Sequence, residues 1–165
     1  MAFGGQGVAQ GAHAHVVAVD QDIAELLGGD LERTLFGPGA TFWLNTVLAA
    51  RLGPGDRVVV SALEHNAVMR PLRALAASRG VEVAVVKGDD PGGLPTADGF
   101  RAAVSNAPTT LVVVSHASNV TGAVLPVAEI AAAVAPVPVV VDGAQSAGSI
   151  PVDVAALGSS AFVCS

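Results

Sequence analysis

Residues 137–148 read V-P-V-V-V-D-G-A-Q-S-A-G, from Val137 to Gly148, and this stretch decides the fold. The β-branched run Val139, Val140 and Val141 predicts a strand buried on both faces, the kind that parallel sheets use. It ends abruptly at Asp142 and Gly143. The carboxyl end of such a strand is where open α/β sheets hold their ligands. A carboxylate buried there is costly unless a cation or several donors meet it. Gln145 places an amide three residues on, and Gly143, Ala144, Ala147 and Gly148 keep the surrounding loop small. Two readings fit these residues. Either Asp142 meets the cationic edge of a flat ligand, with Gln145 bonding to its rim, or Asp142 caps a helix that begins there.

Working outward, the same alternation recurs. Strands are predicted over Arg57–Ser61 (R-V-V-V-S), Val81–Val86, Leu111–Ser115, Val137–Val141 and Ala161–Cys164. Thr34-Leu35-Phe36 reads as a further short strand. Between them, helices are predicted over Asp20–Leu27, Ala40–Leu52, Glu64–Arg79, Thr96–Asn106 and Pro126–Val134. In the third of these, Val68, Leu72, Leu75 and Ala76 share the inward face and Gly80 is the stop. Thr96 caps the fourth, after a turn-rich connection from Gly88 to Pro95. Strands alternating with helices predict an α/β fold with a mostly parallel sheet and right-handed crossovers. Residues 1–19 are rich in Gly and Gln without periodicity and form a poorly defined N-terminal segment; residues 20–165 form one domain.

Composition narrows the function. At 165 residues the chain can bury a real core, and 52% apolar content with only 4% aromatics suits helices packed closely on a parallel sheet. A net charge of -6 and the lack of any Lys/Arg cluster exclude a basic nucleic-acid surface. The longest uncharged apolar run, Ile130 to Val141, is too short to span a membrane and carries Pro136 and Pro138. No basic segment followed by an apolar one marks a signal peptide. Cys164 is the only cysteine, so no internal disulfide forms, which fits a reducing cytoplasm. Gly5-Gln6-Gly7 with Gly11 misses the dinucleotide fingerprint, since no strand precedes it. His13 and His15 lack partners at metal-ligand spacing, and no metal site is expected.

Chemistry gathers at the predicted strand ends. Phe36-Gly37-Pro38-Gly39-Ala40-Thr41 feeds a helix whose first-turn N–H groups and dipole favour a phosphate; a plain helix start explains the same residues. After the Arg57–Ser61 strand, Glu64 falls in a first helical turn, and His65 projects over whatever the sheet edge holds. After the Leu111–Ser115 strand, Asn119 offers a donor and an acceptor, whereas His116 reads as a packing residue. A phosphate cradle, an imidazole, amides and a carboxylate together suit an anionic ligand with a flat, protonatable ring. Pyridoxal phosphate fits, because a carboxylate at its ring nitrogen keeps the ring an effective electron sink.

These residues resemble the class V aminotransferases, and within them the cysteine desulfurase-like branch. The resemblance is carried by F-G-P-G-A-T (Phe36–Thr41), L-E-H-N-A-V-M-R-P-L (Leu63–Leu72), S-H-A-S-N-V-T-G (Ser115–Gly122) and V-D-G-A-Q-S-A-G (Val141–Gly148). The four segments follow the family's order, and the likeness runs from Asp20 to Ser165. It implies the large domain of a fold type I enzyme using pyridoxal 5'-phosphate. Ala40 (through its backbone), Thr41 and Ser165 would then hold the phosphate, and His65 would stack on the ring as the catalytic histidine. Asn119 would lie beside the ring, Asp142 would pair with the ring nitrogen, and Gln145 would bond to the phenolic oxygen.

The implied activity is conversion of cysteine to alanine with sulfur passed to an enzyme cysteine, in a cytoplasmic homodimer; transamination or another lyase reaction is the relative on the same scaffold. The family's Schiff-base lysine follows the serine matching Ser165, usually beside a histidine, and this chain stops before it. The one lysine, Lys87, does not replace it, and the small C-terminal domain with its arginine and sulfur-accepting cysteine is also missing. Cys164 is not that cysteine. The family's N-terminal segment is shortened here, and Phe42-Trp43 stands where an acidic-small pair is usual. The alternative to an enzyme portion is therefore a truncated fragment without turnover.

Overall fold

The computed structural model describes residues 21–88 and 93–165. Five strands, β1 (Arg57–Ser61), β2 (Glu82–Val86), β3 (Leu111–Ser115), β4 (Val139–Asp142) and β5 (Ala161–Val163), form one sheet in the order β2-β1-β3-β4-β5. Every pairing is parallel. The helices are α1 (Ala40–Arg51), α2 (Asn66–Arg79), α3 (Ala97–Asn106) and α4 (Val127–Val134).

The valine runs explain the layering. β1 and β3 are buried along their whole length. Alternate residues therefore face opposite layers. Val58, Val60, Leu111, Val113 and Val140 pack with Leu44 and Leu48 of α1 and Val68, Leu72 and Leu75 of α2. Val59, Val112, Val114, Val139 and Val141 pack with Phe100 of α3 and Val127, Ile130 and Val134 of α4. Two helices thus cover each face. The chain leaves β1 for β2 on one side and returns across it to β3, so the strand order reverses between β1 and β3. At such a switch point the flanking loops part, and a crevice opens at the carboxyl edge.

Most predicted elements stand within one or two residues of their observed bounds. Thr96 caps α3, its hydroxyl accepting from the Gly99 N–H at 3.2 Å, and Gly80 closes α2 at φ 68°. Three expectations are corrected. Thr34–Phe36 is no strand: the Thr34 hydroxyl donates to the Asp30 carbonyl at 2.8 Å, holding the segment to a 3-10 turn at Leu31–Arg33. Among the described residues no strand pairs with it, and Leu35 is 72% exposed. Helix α2 begins at Asn66, and Glu64 lies before it rather than in its first turn. β4 begins at Val139 and takes in Asp142. The predicted helix at 20–27 is helical over residues 21–26, with Asp20 outside the described residues, as are residues 89–92 of the Gly88–Pro95 connection and all of residues 1–19.

At the amino edge, buried Arg57 pairs with Glu82 (2.8 Å) and donates to the Thr109 hydroxyl (2.8 Å) and the Ala103 carbonyl (3.0 Å). Among the described residues no helix is long and apolar enough to cross a membrane, and no cluster of three or more His, Cys, Asp or Glu could hold a metal ion.

Candidate functional site

Above the switch point lies a cleft of about 410 Å³. Its lining includes Ala40, Thr41, His65, Asn119, Asp142, Gln145 and Ser165, every residue that the sequence singles out for cofactor binding. They come from five separate segments of the chain. Register explains the gathering: Ser115 stands opposite Asp142, and Asp142 opposite Val163, so the ends of β3, β4 and β5 are level.

Helix α1 supplies one end of the cleft. Its N-cap, Gly39, has φ 137°, a backbone conformation that side-chain-bearing residues rarely adopt. No side chain caps the helix, and a Cβ at Gly39 would meet nothing within 4 Å. The first-turn amides of Ala40 and Thr41 therefore open onto free space at the positive end of a 12-residue helix. Such an end takes a phosphate readily. The Phe42-Trp43 pair leaves this helix intact. Trp43 packs its ring against Gly37, with the indole N–H buried and unpartnered among the described residues, and Phe42 meets it edge-on at 5.2 Å.

The floor is Asp142, 6% exposed. Its Oδ1 accepts from the Ala144 N–H at 3.1 Å, the one hydrogen bond made to the carboxylate among the described residues. Burial pushes its pKa up, opposed by that hydrogen bond and by the nearby His65. A buried carboxylate with spare acceptor capacity asks for a cationic donor. The helix-cap reading is not met, because residues 143–150 form turns and no helix begins there; Asp142 holds that turn through Ala144 and still faces the cleft. Gly143 is needed beneath it: a Cβ there would collide with the Phe162 ring.

His65 is the N-cap of α2, its Nδ1 accepting from the Ala67 N–H at 3.1 Å. That bond places the proton of the neutral ring on Nε2. His116 is buried, with Nδ1 3.0 Å from the Ser146 hydroxyl, which in turn reaches the Gly143 carbonyl at 3.2 Å. It braces the loop after β4 and does not line the cleft, as the sequence reading anticipates. Burial lowers its pKa.

Sequence reasoning missed Glu64. Instead of favouring a helix dipole, its carboxyl accepts from the Ser61 hydroxyl (2.5 Å), the Ser115 N–H (2.8 Å) and the Ser115 hydroxyl (2.9 Å). Burial pushes its pKa up to about 7, the hydrogen bonds from Ser61 and Ser115 oppose that rise, and Asp142 adds to it. The polar ends of the two R-V-V-V-S and L-V-V-V-S strands were the available signal, since buried serines need a partner. Lys87 follows β2, three strands from Asp142 and so roughly 14 Å away across the sheet. Cys164 is half-buried, and burial, with a contribution from Asp142, pushes its thiol pKa up, away from a reactive thiolate.

An open helix N-terminus at one end and a buried carboxylate at the other fit an anionic ligand with a cationic ring atom, and pyridoxal phosphate has both. Comparison with known proteins points the same way. The family model for aminotransferase class-V matches residues 4–165. A probable cysteine desulfurase of Mycolicibacterium paratuberculosis is 36% identical over 150 residues, covering 87% of this chain and 22% of that protein. The apo structure of cysteine desulfurase from Thermococcus onnurineus superposes with a TM-score of 0.86 at 28% identity, over 96% of this chain and 41% of its own. A mutant of the protein C-DES, with glycine covalently linked to its PLP cofactor, gives 0.83 at 28% identity, over 98% of this chain and 44% of that one. C-DES is also known as a cystine C-S lyase in complex with its product, cysteine persulfide (TM-score 0.80, 28% identity, 98% of this chain and 45% of that one). The chain thus spans less than half the length of each of these proteins. The parallel five-stranded sheet with flanking helices is the fold type I architecture of cysteine desulfurases.

Proposed function

Because the chain belongs to the class-V aminotransferase family, we propose that it is the cofactor-binding large-domain portion of a pyridoxal phosphate enzyme, a cysteine desulfurase that converts cysteine to alanine and passes the sulfur to an enzyme cysteine. The observation that carries this reading is the pairing, in one cleft, of an uncapped helix start with a buried carboxylate that accepts one hydrogen bond. The Ala40 and Thr41 amides, with the Thr41 and Ser165 hydroxyls, hold the phosphate. Asp142 faces the protonated ring nitrogen, which meets the demand that its burial creates. Gln145 and Asn119 place amides at the rim of the ring. His65 covers one face, and its Nε2–H is the donor left to the ligand because Nδ1 is committed to Ala67. Bound in this way, the cofactor supplies an electron sink for breaking bonds at the substrate's carbon atoms.

The cleft of the described residues holds neither the bonding lysine nor a reactive cysteine. Lys87 is remote, and Cys164 is held as a thiol. Both groups belong to the rest of the complete enzyme in this reading, and the described portion binds and orients. A homodimer in the cytoplasm is part of the same proposal. The absence of any cysteine pair and the exposed apolar trio Leu35, Phe36 and Phe42 support it, the last lining the cleft. The likeness to the C-S lyase favours a second reading, carbon–sulfur cleavage without an acceptor cysteine, on the same cofactor site.

Isothermal titration of the chain with pyridoxamine phosphate, which needs no lysine, tests the site. Saturable one-to-one binding that phosphate competes away is expected. A chain that is folded by circular dichroism and binds neither pyridoxamine phosphate nor pyridoxal phosphate would refute the reading.

A further inference from the structure

Glu64 does not line the cleft, yet it stands between the residue on its floor and the residue on its wall. β1 stops at Ser61 while β3 runs on to Ser115, so the Ser115 N–H has no strand on the β1 side to receive it. The Glu64 carboxyl takes that place. Oε1 accepts both the Ser115 N–H and the Ser61 hydroxyl, and Oε2 accepts the Ser115 hydroxyl. The Ser61 oxygen accepts in turn from the Leu63 N–H at 3.1 Å, which fixes the turn leading to Glu64. Ser115 lies opposite Asp142 in the β3–β4 register, and the next amide, His116 N–H, donates to the Asp142 carbonyl at 2.9 Å. On the other side, Glu64 is followed by His65, whose ring is anchored at Ala67.

We propose that Glu64 is a positioning residue for the cleft, tying the end of β1 to the end of β3 and thereby fixing the spacing between the His65 ring and the Asp142 carboxylate. This rests on reading the cleft as a pyridine-phosphate site. An ionised carboxyl only accepts, which matches three donors, whereas a protonated one sets its own O–H against them. The groups around it are Ser61 from β1, Ser115 from β3, Asp142 from β4 and His65 on its own loop. Because burial brings its pKa to about 7, the grip tightens as Glu64 ionises across the neutral range. The added negative charge then favours a cationic ring atom beside Asp142.

The test compares the chain with Glu64→Ala and Glu64→Gln, each checked for folding by circular dichroism. In the ligand-free state, Glu64→Ala should speed amide exchange at Ser115 and Ala67 about tenfold, and Glu64→Gln should restore most of the protection. Titrated with pyridoxamine phosphate, Glu64→Ala should bind about tenfold more weakly. Glu64→Gln should regain affinity but lose the part of its rise across neutral pH that the unaltered chain shows. Affinity in Glu64→Ala within about twofold of the unaltered chain at every pH overturns the proposal. Unchanged exchange at Ser115 and Ala67 overturns the tie itself, whereas failure of the unaltered, folded chain to bind overturns the reading of the cleft, so the two failures are told apart.

Discussion

At the amino edge of the sheet the Arg57 guanidinium is met by Glu82, the Thr109 hydroxyl and the Ala103 carbonyl, whereas at the carboxyl edge the Asp142 carboxylate accepts one hydrogen bond among the described residues, from Ala144. Both charges are buried to a similar degree, 8% and 6% exposed. The difference lies in what completes them. Arg57 is met by its own chain at Nε and Nη1 and pins the start of β1 to β2 and α3. Asp142 keeps acceptor capacity that only something in the cleft can use. One edge is built for stability and the other holds an unmet demand, and an unmet demand of this kind is how a fold stores affinity for a ligand.

The largest effect should come from removing that demand. Asp142→Asn keeps the shape but not the charge, and calorimetry should find pyridoxamine phosphate bound about a hundredfold more weakly. The melting temperature should hold or rise, because the fold already favours the neutral carboxyl. A large loss of stability with unchanged affinity would invert the comparison. Gly143→Ala, which drives a methyl into the Phe162 ring, should cost about 2 kcal/mol in urea denaturation. Adding Phe162→Leu should recover part of that loss.

At the opposite edge, Arg57→Met should cost about 1.5 kcal/mol of stability by orphaning its hydrogen-bond partners, while ligand affinity stays as it was. Were affinity to fall with it, the two edges would not be independent. The smallest effect is a slope. Glu64 ionises near 4.5 when unfolded and about 7 when folded, so the folded state holds the extra proton between those values. Stability from this group is full below that window and is lost as pH rises through it. His116, whose folded pKa is lowered, acts in the opposite sense as pH falls below its ordinary 6.5. The difference between the unaltered chain and Glu64→Gln in melts at a series of pH values isolates the Glu64 contribution.

The amino-acid sequence alone carries much of this. Valine runs closed by serine or aspartate are legible as buried parallel strands because burial on both faces leaves no room for polar alternation. The gathering of Thr41, His65, Asn119 and Asp142 follows from the same pattern, since parallel strands bring all their carboxyl ends to one edge. Thr34–Phe36 misled because a strand is defined by its neighbour, and no neighbour is written in a three-residue run. Glu64 was hidden for a related reason. Its partner Ser115 is 51 residues away, and a glutamate beside a helix start is explained locally by the dipole. Local rules see the near partner and miss the distant one.

Trp43 is the only tryptophan in the chain, and its indole N–H, two residues beyond Thr41, sits buried without an acceptor among the described residues. An indole so enclosed emits toward the blue, and a ligand absorbing in that band and seated at the start of α1 would quench it by energy transfer. The molecule therefore carries a built-in optical gauge of whether its cleft is filled, readable without label or mutation.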